Sequence, residues 1–247
     1  MEPRAAPFVS ASMTTTRLIL LAMVACSSPG TKTDAPAVNG DGQCGADDLF
    51  TGELVDWDST DADFCGVFQA TFTLSTNSSV TNSTNPNGRF QLCIPVADQT
   101  VVNVTPPTGA SQCNPSVGLY QLPGIAIATH AVIATGQTFS TRMFGSNREM
   151  PFFSEFGITP DPAKAIVFVH VDGTPGSVLV EAVHDQPLEW DGSAWGSGDT
   201  GVDVVFPNVT VGNPATTSVA FTDASGTGGG TFPVTANTFT YVTLVAN

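Results

Sequence analysis

The chain has 247 residues, a formal net charge of −15 at pH 7, and only 12% charged residues. Such an acidic surface repels nucleic-acid backbones, so a nucleic-acid-binding function is excluded. Many Gly and Pro residues, abundant Thr and Val, and no long Ala/Leu/Glu/Lys stretches predict an all-β extracellular protein.

The N-terminus has the form of a secretory signal. Arg17 precedes the apolar run 18–25, and Cys26 is followed by the polar residues 27–30. The run is too short to span a bilayer as a helix. Its end, Met-Val-Ala-Cys at 23–26, resembles a bacterial lipobox, in which cleavage precedes the Cys and its thiol is acylated. The alternative is an ordinary signal peptide that is cut near Cys26.

The lipobox interpretation predicts a signal peptide over residues 1–25, and then a lipidated Cys26 with a flexible tether over 26–43. The tether is rich in Gly, Pro, Asp and Ser and has no apolar period. Ser27 after the Cys resembles the usual signal for sorting to the outer membrane. We therefore expect a cell-envelope lipoprotein that is periplasmic or surface-exposed.

Short strands and turns follow, and they predict a first β-sandwich over residues 44–117. Residues 66–74 fit a half-buried strand. Asn87-Gly88 is a strong turn signal before the alternating strand 89–94, and Pro106-Pro107 ends the strand 100–105.

Residues 118–163 form a predicted connector. Two short strands are expected at 125–128 and 131–134. A broken apolar stripe predicts the only helix over 138–156, which Pro151 would kink or end.

From residue 164 the β pattern returns and predicts a second sandwich over 164–247. The expected strands, separated by Gly- and Pro-containing turns, are 166–171, 177–183, 202–206, 218–221 and 238–245. The predicted fold is therefore all-β, with two Greek-key β-sandwich domains and a short helical or irregular connector.

The five cysteines are assigned to two roles, lipidation and disulfide bonding. Cys26 is explained by lipidation, and the even number that remains in an exported chain predicts two disulfides among Cys44, Cys65, Cys93 and Cys113. Four cysteines allow three pairings. Cys65 and Cys93 sit beside strands that flank one loop, which favours Cys65–Cys93 with Cys44–Cys113 without excluding the others.

The first predicted sandwich carries a family resemblance. Gly-Glu-Leu-Val-Asp at 52–56 opens a strand, and Thr-Asn-Pro-Asn-Gly-Arg-Phe-Gln-Leu at 84–92 follows a polar loop. Together with the strand 100–105 they resemble the carboxypeptidase-regulatory-like, or transthyretin-like, domain family. The resemblance covers about residues 50–106 and, more faintly, 165–247. It implies a seven-stranded Greek-key, Ig-like sandwich of a non-catalytic accessory type, and it supplies no catalytic residues.

An acidic segment interrupts that pattern. Asp56, Asp58, Asp61 and Asp63 place four carboxylates within eight residues. Calcium prefers several oxygen ligands from one short loop, so this segment is a candidate calcium site. The Gly and the closing Glu of an EF-hand are missing, and a solvated acidic loop is the alternative.

Two further groups of residues are candidates for chemistry or binding. His170 with Asp172, and His184 beside Asp185, suggest a metal site or a His–Asp base pair, against the alternative of ordinary strand and loop residues. Trp190 and Trp195 flank the turn Asp191-Gly192, where they could stack on a sugar or peptide or cap the core.

These observations favour a lipid-anchored envelope protein that acts as a non-catalytic binding or structural module. Its expected partners are the membrane, through the N-terminal lipid, and a protein or carbohydrate ligand. No G-x-S-x-G or S-x-x-K motif supports a hydrolase. The alternative function is a metal-dependent hydrolase, or an accessory subunit of an envelope enzyme, that uses His170 and His184.

Overall fold

The computed structural model describes residues 44–60, 62–111, 115–120, 122–174, 176–223 and 226–245. It is 47% strand and 7% helix, which confirms the prediction of a β-rich protein. The signal peptide, Cys26 and the tether, as well as Asp61 and Cys113, lie outside these residues. Neither described helix has the length and apolar character needed to cross a membrane.

Fifteen strands and two short helices are found in the described part of the chain. The first seven strands are β1 (Asp48–Asp56), β2 (Thr71–Leu74), β3 (Thr81–Ser83), β4 (Arg89–Ile94), β5 (Gln99–Thr105), β6 (Gly124–Thr129) and β7 (Phe139–Met143). The others are β8 (Ala165–Asp172), β9 (Ser177–Val180), β10 (Leu188–Trp190), β11 (Trp195–Ser197), β12 (Asp203–Val209), β13 (Thr216–Asp223), β14 (Gly226–Pro233) and β15 (Phe239–Val245). The helices are α1 (His130–Ala134) and α2 (Glu149–Glu155), and a 3₁₀ turn covers Pro115–Val117.

These strands form three sheets. The front sheet has the order β4-β1-β7, and the rear sheet has the order β14-β13-β9. The central sheet has nine strands in the order β11-β10-β12-β8-β15-β6-β5-β2-β3. β15 runs parallel to both of its neighbours, β6 and β8, and the other pairs in the central sheet are antiparallel.

Each face of the central sheet is buried in a hydrophobic core. Ile166 and Phe168 of β8 join a front core with residues of the front sheet, whereas Val167 and Val169 join a rear core with residues of the rear sheet. Successive side chains of a strand point to opposite faces. A strand that is covered on both faces is therefore apolar at nearly every position, which explains the continuous apolar run of β8.

The central sheet is continuous across the predicted connector. β6, which lies within residues 118–163, pairs with β5 of the predicted first sandwich and with β15 of the second. The described residues all belong to one compact unit. The boundaries that we placed near residues 117 and 164 therefore do not interrupt the hydrogen bonding of the sheet.

The predicted helix over 138–156 is only half correct. Its first part is β7, which pairs in parallel with β1, and only α2 is helical. Phe139, Thr141 and Met143 alternate as buried positions along β7, a period of two that pairing with β1 satisfies. Pro151 lies in the first turn of α2, where its missing N–H costs little.

The expected strand at 131–134 is wrong, because these residues form α1. Thr129 ends β6 in an extended conformation, and its hydroxyl accepts a hydrogen bond from the backbone N–H of Val132. An N-cap of this kind satisfies one of the free donors of the first helical turn.

One disulfide joins Cys44 to Cys93, with 5.3 Å between the two Cα atoms. The preferred pairing of Cys65 with Cys93 is therefore wrong. β1 runs antiparallel to β4, with Asp48 opposite Ile94, and this register brings the start of β1 back to Cys93. Cys65 is buried and disulfide-bonded.

The motif at 84–92 builds the turn into β4. The Thr84 hydroxyl accepts from the N–H of Ala70 and donates to the carbonyl of Val67. The Asn85 carboxamide oxygen accepts from the N–H groups of Asn87 and Arg89. Gly88 has a φ of +73°, and a Cβ there would collide with the carbonyl of Leu54. The motif residues are therefore explained by local structure.

Candidate functional site

An open cleft of about 550 Å³ lies where the front sheet meets the carboxyl-terminal part of β8. Its lining comes from β1, β7, β8, β10 and β12 and from the loop after β1. The lining residues are Glu53, Val55, Ser59, Thr60, Ala62, Phe64, Ser140, Arg142, His170, Trp190, Gly192, Val202 and Asp203. Four of these residues, Glu53, Arg142, His170 and Asp203, are ionisable.

A chain of three charged or polar side chains forms one wall of the cleft. Asp203 of β12 and His170 of β8 are directly opposite each other in the antiparallel register. The His170 Nδ1 lies 2.7 Å from one Asp203 carboxylate oxygen, and the Arg142 Nε donates to the other at 2.8 Å. Arg142 belongs to β7, so this ion pair joins the front sheet to the central sheet.

Burial alone would raise the pKa of the Asp203 carboxyl. The hydrogen bond and charge of His170, followed by the charge and hydrogen bond of Arg142, outweigh this effect and hold the pKa below its ordinary value. An ionised carboxylate only accepts hydrogen bonds, so the Nδ1 of His170 is the donor. The bond places a proton on Nδ1, so Nε2 is a hydrogen-bond acceptor when the ring is uncharged and a donor when it is protonated.

Arg142 makes further contacts within the protein. Besides Asp203, its Nη1 donates to the backbone carbonyls of Trp57 at 3.1 Å and Ser59 at 2.6 Å. The guanidinium also lies 5.4 Å from the centre of the Trp190 ring, in cation–π contact. Arg142 thus fixes both Asp203 and Trp190.

The structure separates the two predicted aromatic residues. Trp190 and Trp195 are a cross-strand pair of the β10–β11 hairpin, and only Trp190 lines the cleft. Trp195 stacks on the buried Trp57, with ring centres 4.8 Å apart. Trp195 therefore packs against the front core, while Trp190 is half-buried and lines the cleft.

The two predicted histidines lie on opposite faces of the central sheet. The His184 ring packs edge-on against Phe206, which belongs to the rear core, and its Nδ1 bonds the backbone carbonyl of Asp185. His170 shares its strand face with Ile166 and Phe168 of the front core. Asp203, rather than Asp172, is the carboxylate that bonds His170.

The acidic segment is divided among protein partners. Asp56 is buried, and one of its carboxylate oxygens accepts from the Tyr120 hydroxyl at 2.6 Å. Both carboxylate oxygens of Asp58 lie 3.0 Å from the Arg148 Nε, and Asp63 is exposed. No group of three His, Cys, Asp or Glu residues that could hold a metal occurs within the described ranges.

Glu53 carries the second carboxylate on the cleft wall. Its Oε2 accepts from the Arg89 Nε at 3.0 Å, across the β1–β4 pair. The two carboxylates of the cleft, Glu53 and Asp203, are therefore each matched by one arginine.

A smaller cleft of about 190 Å³ lies at the other end of the parallel strands. Leu122, Lys164 and Thr238 line it just before β6, β8 and β15 begin, and Glu149 of α2 lines it as well. Burial raises the pKa of Glu149. Neither Glu149 nor Lys164 has an ion-pair partner among the described residues.

The sequence does not predict three of the cleft residues, Glu53, Arg142 and Asp203. A signal existed for Asp203, which is a lone charge inside the apolar run Val-Asp-Val-Val-Phe at 202–206. Arg142 was hidden because its segment reads as part of a helix. No local feature marks Glu53, which the parallel pairing of β1 with β7 places opposite Ser140.

No family model matches this sequence, and no curated protein matches it.

Proposed function

We propose that this chain is a non-catalytic binding module, held at the cell envelope by a lipid on Cys26, and that its ligand occupies the cleft beside Trp190. The proposal combines the lipobox-like sequence at 23–26 with the geometry of the cleft.

The fixed group Arg142–Asp203–His170 is the observation that carries the binding proposal. Arg142 and Asp203 are largely buried, with side-chain exposures of 13% and 6%, whereas His170 retains 21%. Their mutual bonds hold the imidazole and the Trp190 ring in place before a ligand arrives. Side chains that are ordered in advance lose less conformational entropy on binding.

Binding is favoured over catalysis by the surroundings of His170. Its only side-chain hydrogen-bond partner in the described part of the chain is Asp203, and no hydroxyl or thiol nucleophile is bonded to it. A nucleophile activated by histidine normally lies within hydrogen-bond reach of the ring. His184 lies on the other face of the sheet, so a site that needs both histidines lacks geometric support.

The resemblance of residues 50–106 to carboxypeptidase-regulatory-like, Ig-like domains also supports an accessory role. The residues that carry it, such as Thr84 and Gly88, serve the turn before β4. Two other residues of the resemblance, Glu53 and Val55, line the cleft.

The anchor is tested by Cys26→Ser in the full chain, followed by detergent-phase partitioning. We expect the unaltered protein in the detergent phase and the variant in the aqueous phase. A variant that still partitions with detergent contradicts the lipid anchor.

The cleft is tested by thermal shift with the full exported chain, purified in detergent. The probes are four panels: neutral sugars, acidic sugars, primary amines and dipeptides. We expect at least one panel to raise the melting temperature of the wild type and of Leu179→Ala, a matched control on β9 of the rear sheet, but not of Trp190→Ala. If no panel produces a shift that depends on Trp190, the proposed function is wrong.

A further inference from the structure

We infer that the ligand of the cleft is a neutral carbohydrate that stacks on Trp190 and hydrogen-bonds to His170. This inference rests on the proposed binding function and names the class of its ligand.

The charges of the cleft cancel within the protein. Glu53 is paired with Arg89, and Asp203 is paired with Arg142. Arg142 also donates to two backbone carbonyls, so three of its hydrogen bonds are already made within the protein. While the His170 ring is uncharged, each carboxylate of the cleft is balanced by one arginine, so the cleft has little electrostatic reason to select either an anion or a cation.

The polar groups that remain are mostly hydrogen-bond acceptors or hydroxyls. In the neutral ring, His170 has Nε2 as an acceptor, and Glu53 keeps one carboxylate oxygen beyond its bond to Arg89. Thr60 and Ser140 add hydroxyl groups to the lining. A ligand that carries several O–H donors without a net charge satisfies such a set, because each hydroxyl both donates and accepts.

The aromatic lining fits the apolar faces of sugar rings. Trp190 is half-buried with one side against Arg142, and Phe64, which is 41% exposed, also lines the cleft. An aromatic ring offers a large, rigid apolar contact surface. The volume of about 550 Å³ falls within the range of small-molecule sites, about 300–1,000 Å³.

The experiment measures binding of a neutral oligosaccharide panel to the full chain by isothermal titration calorimetry. For the tightest panel member, we expect Trp190→Ala to weaken binding by about tenfold, and Trp190→Phe to retain most of the affinity because a ring remains. His170→Phe removes the acceptor and should also weaken binding. Leu179→Ala is the control and should bind like the wild type.

Salt dependence separates the ligand classes. A neutral ligand forms no ion pair, so its affinity should stay constant between about 0.05 and 0.5 M salt. An affinity that falls steeply with salt would contradict the inference.

Binding confined to the amine, acidic-sugar or dipeptide panels, and lost in Trp190→Ala, would contradict a neutral carbohydrate as the ligand and would leave the proposed binding function intact. Absence of Trp190-dependent binding to every panel would overturn both.

Discussion

Two clefts lie at the two ends of β8, and the pKa values of a buried carboxyl group in one and a half-buried carboxyl group in the other shift in opposite directions. At the carboxyl-terminal end, Asp203 has a pKa below its ordinary value. At the amino-terminal end, Glu149 has a raised pKa. Burial disfavours the ionised form of both groups, and the difference lies in their neighbours.

The position of each carboxyl group in the fold decides whether it has a partner. Asp203 lies on a strand whose register places His170 opposite, and Arg142 reaches it from the front sheet. Glu149 opens a short helix and has no ion-pair partner among the described residues, so desolvation alone sets the direction of its pKa shift. Fixed partners on neighbouring strands can thus reverse the effect of burial.

The largest expected effect comes from removing the arginine of the first cleft. Arg142→Ala leaves Asp203 buried with only His170 as a partner and frees two backbone carbonyls. We expect a loss of about 3–5 kcal/mol in the free energy of unfolding, measured with urea. The control Lys164→Ala, which removes the unpaired cation of the second cleft, should change it by less than about 0.5 kcal/mol. Equal effects of the two substitutions would remove the distinction between the clefts.

The pH dependence of stability should follow the pairing of Asp203. Its pKa is lower in the folded than in the unfolded protein, so its contribution is fully present above the unfolded value of about 3.9. That contribution is lost as the pH falls through the folded pKa. The stability difference between the wild type and Asp203→Asn should therefore narrow in acid. A difference that is constant between about pH 5 and pH 2 would contradict the assigned pKa direction.

For Glu149 we expect the opposite dependence of stability on pH. Its folded pKa is raised by burial, so ionisation costs stability as the pH rises from the unfolded value of about 4.3 through the folded value. Glu149→Gln should therefore be more stable than the wild type at pH 7 and equal to it below about pH 4. Glu155→Gln is the control, because Glu155 is exposed and paired with Arg148. A Glu149→Gln variant less stable at pH 7 would reveal a partner for this carboxyl group.

The acidic segment near the first cleft should show the smallest effect. Asp56 and Asp58 already have Tyr120 and Arg148 as partners, so calcium would have to compete with them. We expect the same melting temperature in millimolar calcium and in chelator, by calorimetry. A rise in calcium that the double variant Asp58→Asn, Asp63→Asn abolishes would support the calcium site instead.

Local patterns predicted several strands closely. The alternation at 89–94 matches β4, and the strand predicted at 100–105 lies within β5. Residues 139–143 also alternate, but the Phe and Met residues scattered over the longer window 138–156 favour a helix in the sequence. The alternation of Phe139, Thr141 and Met143 was available in the sequence, but only pairing with β1 selects it.

The candidate site was less predictable than the strands. His170 and Trp190 were identified as residues of interest because His and Trp are chemically distinctive. Closeness in sequence groups Asp172 with His170 and Trp195 with Trp190, and His184 is added as a second histidine beside a carboxylate. Arg142 of β7 and Asp203 of β12 complete the cleft. These two residues are 61 positions apart in the chain.

The sequence by itself determined that this protein is β-rich, because the alternation of side chains across a strand is a local property. It also determined that the net charge is negative and that the N-terminus resembles a secretory signal. The tertiary structure alone decided the pairing of Cys44 with Cys93, the continuous central sheet and the meeting of Arg142, His170 and Asp203. Those features depend on which strands become neighbours. The neighbours are set by the burial of both faces of the central sheet against segments that are distant in the chain.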